Sequence, residues 1–281
     1  MTGFVVLHYL AYEMTLQCTE SLLGLAGEKH IVIVDNASPD GSGEKLAAHF
    51  SGQSSEVTVL PSLCNEGFAR GNNRGYEYLQ THFSCDFIVV LNNDVLIPDT
   101  GFIGKVEEIY KETPFAVLGP DILNPKTGIH QNPALPHGLG REEVLALRSR
   151  CQKDLAHFRW RRFKWSLKKY FVHKPEAVEK PWREAARNPV LHGACFIFSA
   201  DFIRSREHAF NPATFLYFEE NILHYECLQE GLTLLYSPQV QVRHLEDVST
   251  DQAFRRRAKK EKMIIKESIR SMDVLLSLMN R

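Results

Sequence analysis

The feature that most limits the fold is an alternation running through the first hundred residues. Short apolar runs at Gly3–Tyr9, Ile31–Val34, Val57–Leu60 and Asp86–Leu91 read as strands. Between them, Thr15–Ala26, Gly43–Phe50 and Ala69–His82 carry helical patterning. Strands and helices that alternate in this way build a mostly parallel sheet with right-handed crossovers and helices on its faces. The predicted fold is therefore a Rossmann-like α/β nucleotide-binding architecture.

The last of these runs, Phe87-Ile-Val-Val-Leu91, is apolar enough to be buried on both faces, as a central parallel strand is. It stops abruptly on Asn92-Asn93-Asp94, and Pro98 closes the segment. Ligands of open α/β sheets bind beyond the carboxyl ends of the strands. A carboxylate flanked by amide oxygens there suits a hard divalent cation, Mg²⁺ or Mn²⁺, that shares phosphate oxygens. Taken alone, the same three residues would also make an ordinary polar turn.

Two other strand ends are polar. Asp35 directly follows Val34, where its carboxylate can accept a base N–H or cap a turn. Asn65-Glu-Gly-Phe-Ala-Arg-Gly-Asn-Asn-Arg-Gly75 follows the third strand. Its glycines recur every four residues, a bare helical stripe allowing close approach. The start of that helix, beside Arg70, is a candidate anion site. No G-x-x-x-x-G-K-[ST] and no G-x-G-x-x-G occurs, so P-loop and dinucleotide readings are weak.

Beyond Pro98 the order loosens. A helix over 102–111 and a strand at 116–119 are expected, then a Pro/Gly-rich passage, a basic aromatic segment, a strand over 190–199 and a helix over 217–230. Two close strands at 232–236 and 240–244 precede one long helix over 250–279. The expected division is one domain over 1–245, with an insertion at 126–187, and a helical extension over 246–281.

Composition excludes several classes. No apolar run approaches the ~20 residues that cross a bilayer. Six scattered cysteines contain no C-x-x-C pair, which argues against zinc ribbons and disulfide frameworks. With no basic n-region or small-residue cleavage site near Met1, the expected compartment is the cytoplasm. The net charge of −1 conceals a segment, 141–187, with 14 Lys/Arg against 6 Asp/Glu. Within it, Trp160, Phe163, Leu167 and Phe171 recur at helical spacing among basic residues. A helix of that kind can lie on an anionic membrane surface, cover an apolar stripe or, as the least favoured reading, meet nucleic acid. The favoured partner is an anionic membrane surface met through 157–171, and no nucleic-acid partner is expected. Oligomeric state is left open.

Taken together, Ile31-Val-Ile-Val-Asp-Asn-Ala-Ser-Pro-Asp-Gly41, Asn65-Glu-Gly-Phe-Ala-Arg-Gly-Asn-Asn73 and Leu91-Asn-Asn-Asp94 resemble family 2 glycosyltransferases of the GT-A fold, closest to the bacterial rhamnosyltransferase-like branch. The resemblance implies an inverting, metal-dependent transfer from a UDP- or dTDP-linked sugar, rhamnose among the candidates. The acceptor would be a hydroxyl of a glycan or polyprenyl-linked glycan in cell-surface polysaccharide synthesis. Tyr9, Asp35, Asn65, Gly67, Arg70, Gly71, Asn73 and Asn93 become the candidate donor-nucleotide residues, with Asp35 on the base. Asn92 and Asp94 form a variant D-x-D motif with Asn at its first position. His244, closing Val240-Gln-Val-Arg-His244, is implied as a further metal ligand. In Phe215-Leu-Tyr-Phe-Glu-Glu220, the adjacent acids Glu219 and Glu220 resemble the family's acidic motif. That likeness assigns the catalytic base to Glu220, with Glu219 as runner-up. His192 and Gly193 resemble the acceptor loop. A sugar-1-phosphate nucleotidyltransferase would want a basic, Gly-rich loop where this chain has Ala11-Tyr-Glu-Met-Thr15. A non-catalytic nucleotide-sugar or lipid-binding module is the remaining alternative.

Overall fold

A computed structural model describes residues 1–52, 54–158, 182–246 and 257–280. In chain order the elements are β1 (Thr2–His8), α1 (Tyr12–Leu23), β2 (Lys29–Asp35), α2 (Ser42–Phe50), β3 (Val57–Pro61), α3 (Gly67–His82), β4 (Phe87–Asn92), β5 (Val95–Leu96) and α4 (Phe102–Glu112). There follow β6 (Val117–Leu123), α5 (Arg141–Ala156), β7 (Ala186–Arg187), β8 (Cys195–Ser199), α6 (Ala200–Ser205), α7 (Glu219–Gln229), β9 (Leu234–His244) and α8 (Arg257–Leu278).

The strands form one sheet in the order β3-β2-β1-β4-β8-β6-β9-β5, with β7 beside β9. β3, β2, β1 and β4 are all parallel, as the alternation requires. The sheet then becomes mixed. β8 runs antiparallel to both β4 and β6, and β9 returns parallel to β6.

Side-chain alternation divides the core into two faces. Phe4, Val6, Ile31, Ile33, Val89 and Leu91 point to one side, against Cys18 and Leu22 of α1, Leu46 and Phe50 of α2, and α4. Val5, Val32, Val34, Ile88 and Val90 point to the other, against Ala69, Tyr76 and Leu79 of α3. The glycine stripe of α3 does what its spacing suggested. A Cβ at Gly71 would strike Leu7, and one at Gly75 would strike Val5 and Val34. α3 thus lies directly on β1 and β2. A third, smaller core joins Val144 of α5, Ile222 of α7, and Met272, Leu275 and Leu276 of α8.

Several expectations need correction. The two close strands at 232–236 and 240–244 are one strand, β9, with a bulge. Pro120 pairs with Ser237, then Asp121 with Gln241. Pro238 lies in the bulge, where a residue without an N–H breaks no ladder bond. The strand expected over 190–199 begins only at Cys195, preceded by a single bridge between Leu135 and Val190. α5, α6 and β5 lie in stretches that showed no clear pattern. The basic aromatic stretch falls, from residue 159 onward, outside the described residues. Among the described residues no helix is long and apolar enough to cross a membrane.

Candidate active site

The carboxyl ends of β1, β2 and β4 open onto a cleft of about 1080 Å³. Its lining comes from far-apart segments: Tyr9, Asn36, Asn65, Asn92 to Asp94, His192 to Ala194, Phe215 to Glu220, His244 and Glu246, with Met263 and Ser268 of α8.

One wall is set by strand pairing. β5 pairs with the end of β9 so that Val95 lies opposite His244, and the Leu245 N–H donates to the Asp94 carbonyl at 2.9 Å. This brings Asp94, only 6% exposed, to His244: Nε2 is 3.3 Å from Asp94 Oδ1. Asp94 Oδ1 is buried and receives no hydrogen bond. On its other edge the His244 ring meets Gln131 Oε1 at 2.8 Å from Nδ1, and the Gln131 amide donates to Glu246. Asn93, largely buried in the cleft lining, donates its amide to Thr15 Oγ1 at 3.0 Å, and Thr15 in turn bonds His8. Burial pushes the His8 imidazole below its ordinary value.

The orphaned Asp94 oxygen beside an imidazole nitrogen is a fitting place for a hard cation. No cluster of three or more His, Cys, Asp or Glu side chains suited to a metal occurs among the described residues. Asp94 and His244 therefore fit a divalent ion only as a partial set, completed by ligand oxygens and water, which is how Mg²⁺ is commonly held.

A second part of the lining carries the acidic pair. Tyr217 and Phe218, with φ of 69° and 74°, are consecutive left-handed residues without being glycine. Such backbone costs about 1–3 kcal/mol per residue and persists only when its surroundings enforce it. Three anchors do so. The Phe68 N–H donates to the Phe215 carbonyl at 2.6 Å, Ser271 Oγ donates to the Leu216 carbonyl at 3.3 Å, and Phe218 packs into the small core with α8. This is also why α7 starts at Glu219 and not at residue 217. Burial pushes the Glu219 carboxyl up to about 8; its neighbour Glu220 adds to the rise, and its own backbone N–H and Thr214 oppose it. Glu219 Oε1 is buried without a partner. Burial also raises Glu220. Glu220 Oε2 faces Gly193: a Cβ there would sit 3.8 Å from it. The loop carrying Gly193 is fixed by Asn132, whose Oδ1 accepts the His192 N–H at 2.9 Å.

Of the residues singled out from sequence, Tyr9, Asn65, Gly67, Asn92, Asn93, Asp94, His192, Gly193, Glu219, Glu220 and His244 line this one cleft. Four do not. Asp35 is buried behind the rim, accepting the Ser38 N–H at 3.1 Å, with Oδ2 pressed against Gly43; the next residue, Asn36, lines the cleft instead. Arg70 is exposed and donates to the Pro212 carbonyl at 2.7 Å. Gly71 packs on Leu7. Asn73 is a buried brace, giving and receiving hydrogen bonds with the Phe210 backbone at 2.8 and 2.9 Å. The start of α3 is no open anion site either. The N–H groups of Glu66, Gly67 and Phe68 are taken by Asn36, Asn65 and Phe215. Sequence reasoning missed Asn36, Gln131, Glu246, Met263 and Ser268. Only Asn36, a polar residue at a strand end, carried a usable signal.

The family model described as "Glycosyl transferase family 2" matches residues 4–171, more than half of the chain. The chain belongs to glycosyl transferase family 2. Its fold is that of the GT-A glycosyltransferases, a mixed α/β sheet flanked by helices. Solved structures similar to this family 2 chain include GalNAc-T7 with UDP, GalNAc and Mn²⁺, at TM-score 0.60 and 15% identity, covering 88% of this chain and 44% of that one. TarS 1–349 of S. aureus aligns at 0.55 and 10%, covering 95% and 64%. The mannosyltransferase PcManGT of Pyrobaculum calidifontis, in complex with GDP-Man and Mn²⁺, aligns at 0.56 and 10%, covering 98% and 69%. The chain thus spans less than two thirds of the first two. No curated protein sequence matches it.

Proposed function

We propose that this protein is an inverting, metal-dependent glycosyltransferase that moves a sugar from a nucleoside-diphosphate sugar to a hydroxyl of a glycan or polyprenyl-linked acceptor. The observation that carries the reading is the convergence of two groups on one cleft: Asp94 with His244, and Glu220 beside Gly193. Glu220 accepts the proton of the acceptor hydroxyl as its oxygen bonds to the anomeric carbon. The bond from that carbon to the diphosphate breaks on the opposite face, so the configuration inverts and no covalent enzyme intermediate forms. Burial moves Glu220 upward, in the direction that suits a general base, which works best when its pKa lies near the operating pH. A divalent cation, Mg²⁺ or Mn²⁺, held by Asp94 and His244 near Asn92, would stabilise charge on the departing diphosphate.

Tyr9, Asn36, Asn65 and Asn93 offer an aromatic ring and amides for the nucleotide. The similar structures that contain UDP or GDP-Man with Mn²⁺ support a nucleotide-sugar donor here. The resemblance to the rhamnosyltransferase-like branch implies a UDP- or dTDP-linked sugar, rhamnose among the candidates, and a role in cell-surface polysaccharide synthesis. The basic aromatic sequence 157–171 favours a lipid-linked acceptor met at the cytoplasmic face of a membrane. Replacing Glu220→Gln should lower transfer about 10²–10⁴-fold while nucleotide-sugar binding, read by thermal shift with Mn²⁺, persists. Full transfer by that variant would overturn the assignment. For the membrane reading, flotation with vesicles containing anionic lipid is the check; binding independent of that lipid would discard it.

A further inference from the structure

The hydrogen bonds behind His244 lead to a residue that no sequence pattern marks. The Glu246 carboxylate can only accept, so the Gln131 amide presents its NH₂ group there. The amide oxygen is thereby turned to His244 Nδ1, 2.8 Å away. An amide oxygen also only accepts, so Nδ1 must carry the ring hydrogen. In a neutral imidazole this leaves Nε2 with its lone pair. Nε2 faces Asp94 Oδ1 at 3.3 Å, and that oxygen receives no hydrogen bond. Two electron-pair donors that converge without a shared hydrogen are complementary to a cation. Gln131 is itself held firmly. Its N–H donates to the Ile122 carbonyl at 2.8 Å, and the adjacent Asn132 side chain bonds the Pro120 carbonyl at 2.7 Å.

We propose that Gln131, oriented by Glu246, is a positioning residue that fixes the His244 tautomer presenting Nε2, together with Asp94, to a divalent cation. It rests on the reading that Asp94 and His244 bind such a cation. Partners of a ligating histidine's second nitrogen commonly set its tautomer, and losing them weakens metal binding about 10–100-fold.

The experiment measures Mn²⁺ affinity by electron paramagnetic resonance, with and without UDP, for the wild type, Gln131→Met, His244→Ala and the double variant. The expected result is a loss of about 10–100-fold for Gln131→Met at an unchanged melting temperature, with no further loss when it is added to His244→Ala. Glu246→Gln gives an independent reading should Gln131→Met misfold. Its amide can donate to Gln131 Oε1, turning the Gln131 NH₂ toward Nδ1, so it too should weaken Mn²⁺ binding, and the ¹⁵N shifts of His244 should report the other tautomer. Wild-type Mn²⁺ affinity in both Gln131→Met and Glu246→Gln overturns the inference, as does a full additional loss on the His244→Ala background. If His244→Ala itself binds Mn²⁺ like the wild type, the cation reading of Asp94 and His244 falls, and the inference falls with it.

Discussion

The two walls of the cleft are built by different physics. Asp94 and His244 meet because two strands pair in register, so backbone hydrogen bonds determine their separation. Glu219 and Glu220 follow a turn of two left-handed residues, held from outside by α3, α5 and α8. The first wall should therefore tolerate loosening of peripheral helices, whereas the second should not.

The comparison can be broken at several points. The largest effect is expected from exchanging the walls' key residues. Glu220→Gln should lower turnover about 10²–10⁴-fold while leaving Mn²⁺ affinity unchanged. Asp94→Ala should instead remove Mn²⁺ binding, as isothermal titration would show. Next comes the small core. Met272→Ala removes a fully buried side chain and should cost about 3 kcal/mol in urea unfolding. In the fraction that stays folded, kcat should fall with Mn²⁺ affinity intact; equal losses in both would erase the distinction between walls. Glu219 supplies a sharper measurement. Its carboxyl is pushed up to about 8, so between pH 6 and pH 8 the folded chain keeps a proton that the unfolded chain releases. Folding stability is therefore lost as pH rises through that window. Glu219→Gln lacks this loss, and its stability relative to wild type should increase by about 2 kcal/mol from pH 6 to pH 8. The smallest effect is Ser271→Ala, which unbonds the Leu216 carbonyl and should cost about 1 kcal/mol, read by the same unfolding curves.

The contrast also separates what the sequence could disclose. The parallel block was legible because β1, β2 and β4 are buried apolar runs, and the stretches between them carry helical periodicity. That Asp94 reaches the cleft was legible because a polar residue at the end of such a strand stands out; Glu220 and His244, which also line it, were marked only by the family resemblance. Arg70 and Asn73 lie off the cleft lining for a geometric reason. Consecutive helical residues are about 100° apart, so a side chain next to the buried glycine stripe of α3 points away from the sheet that carries the cleft. Arg70 consequently reaches Pro212, and Asn73 the Phe210 backbone. Asp35 falls one position outside the cleft lining, because strand alternation turns it against Gly43 and leaves Asn36 to line the cleft. Gln131 was invisible: its partner His244 is 113 residues distant, and the Pro/Gly-rich passage around it has no periodicity to read.

β9 lies between β6 and β5, and its last residue is His244. During biosynthesis the parallel strands and Asp94 emerge from the ribosome long before their partner does. A nascent chain can thus assemble its first layers early yet possess no complete reaction chamber until β9 has been translated.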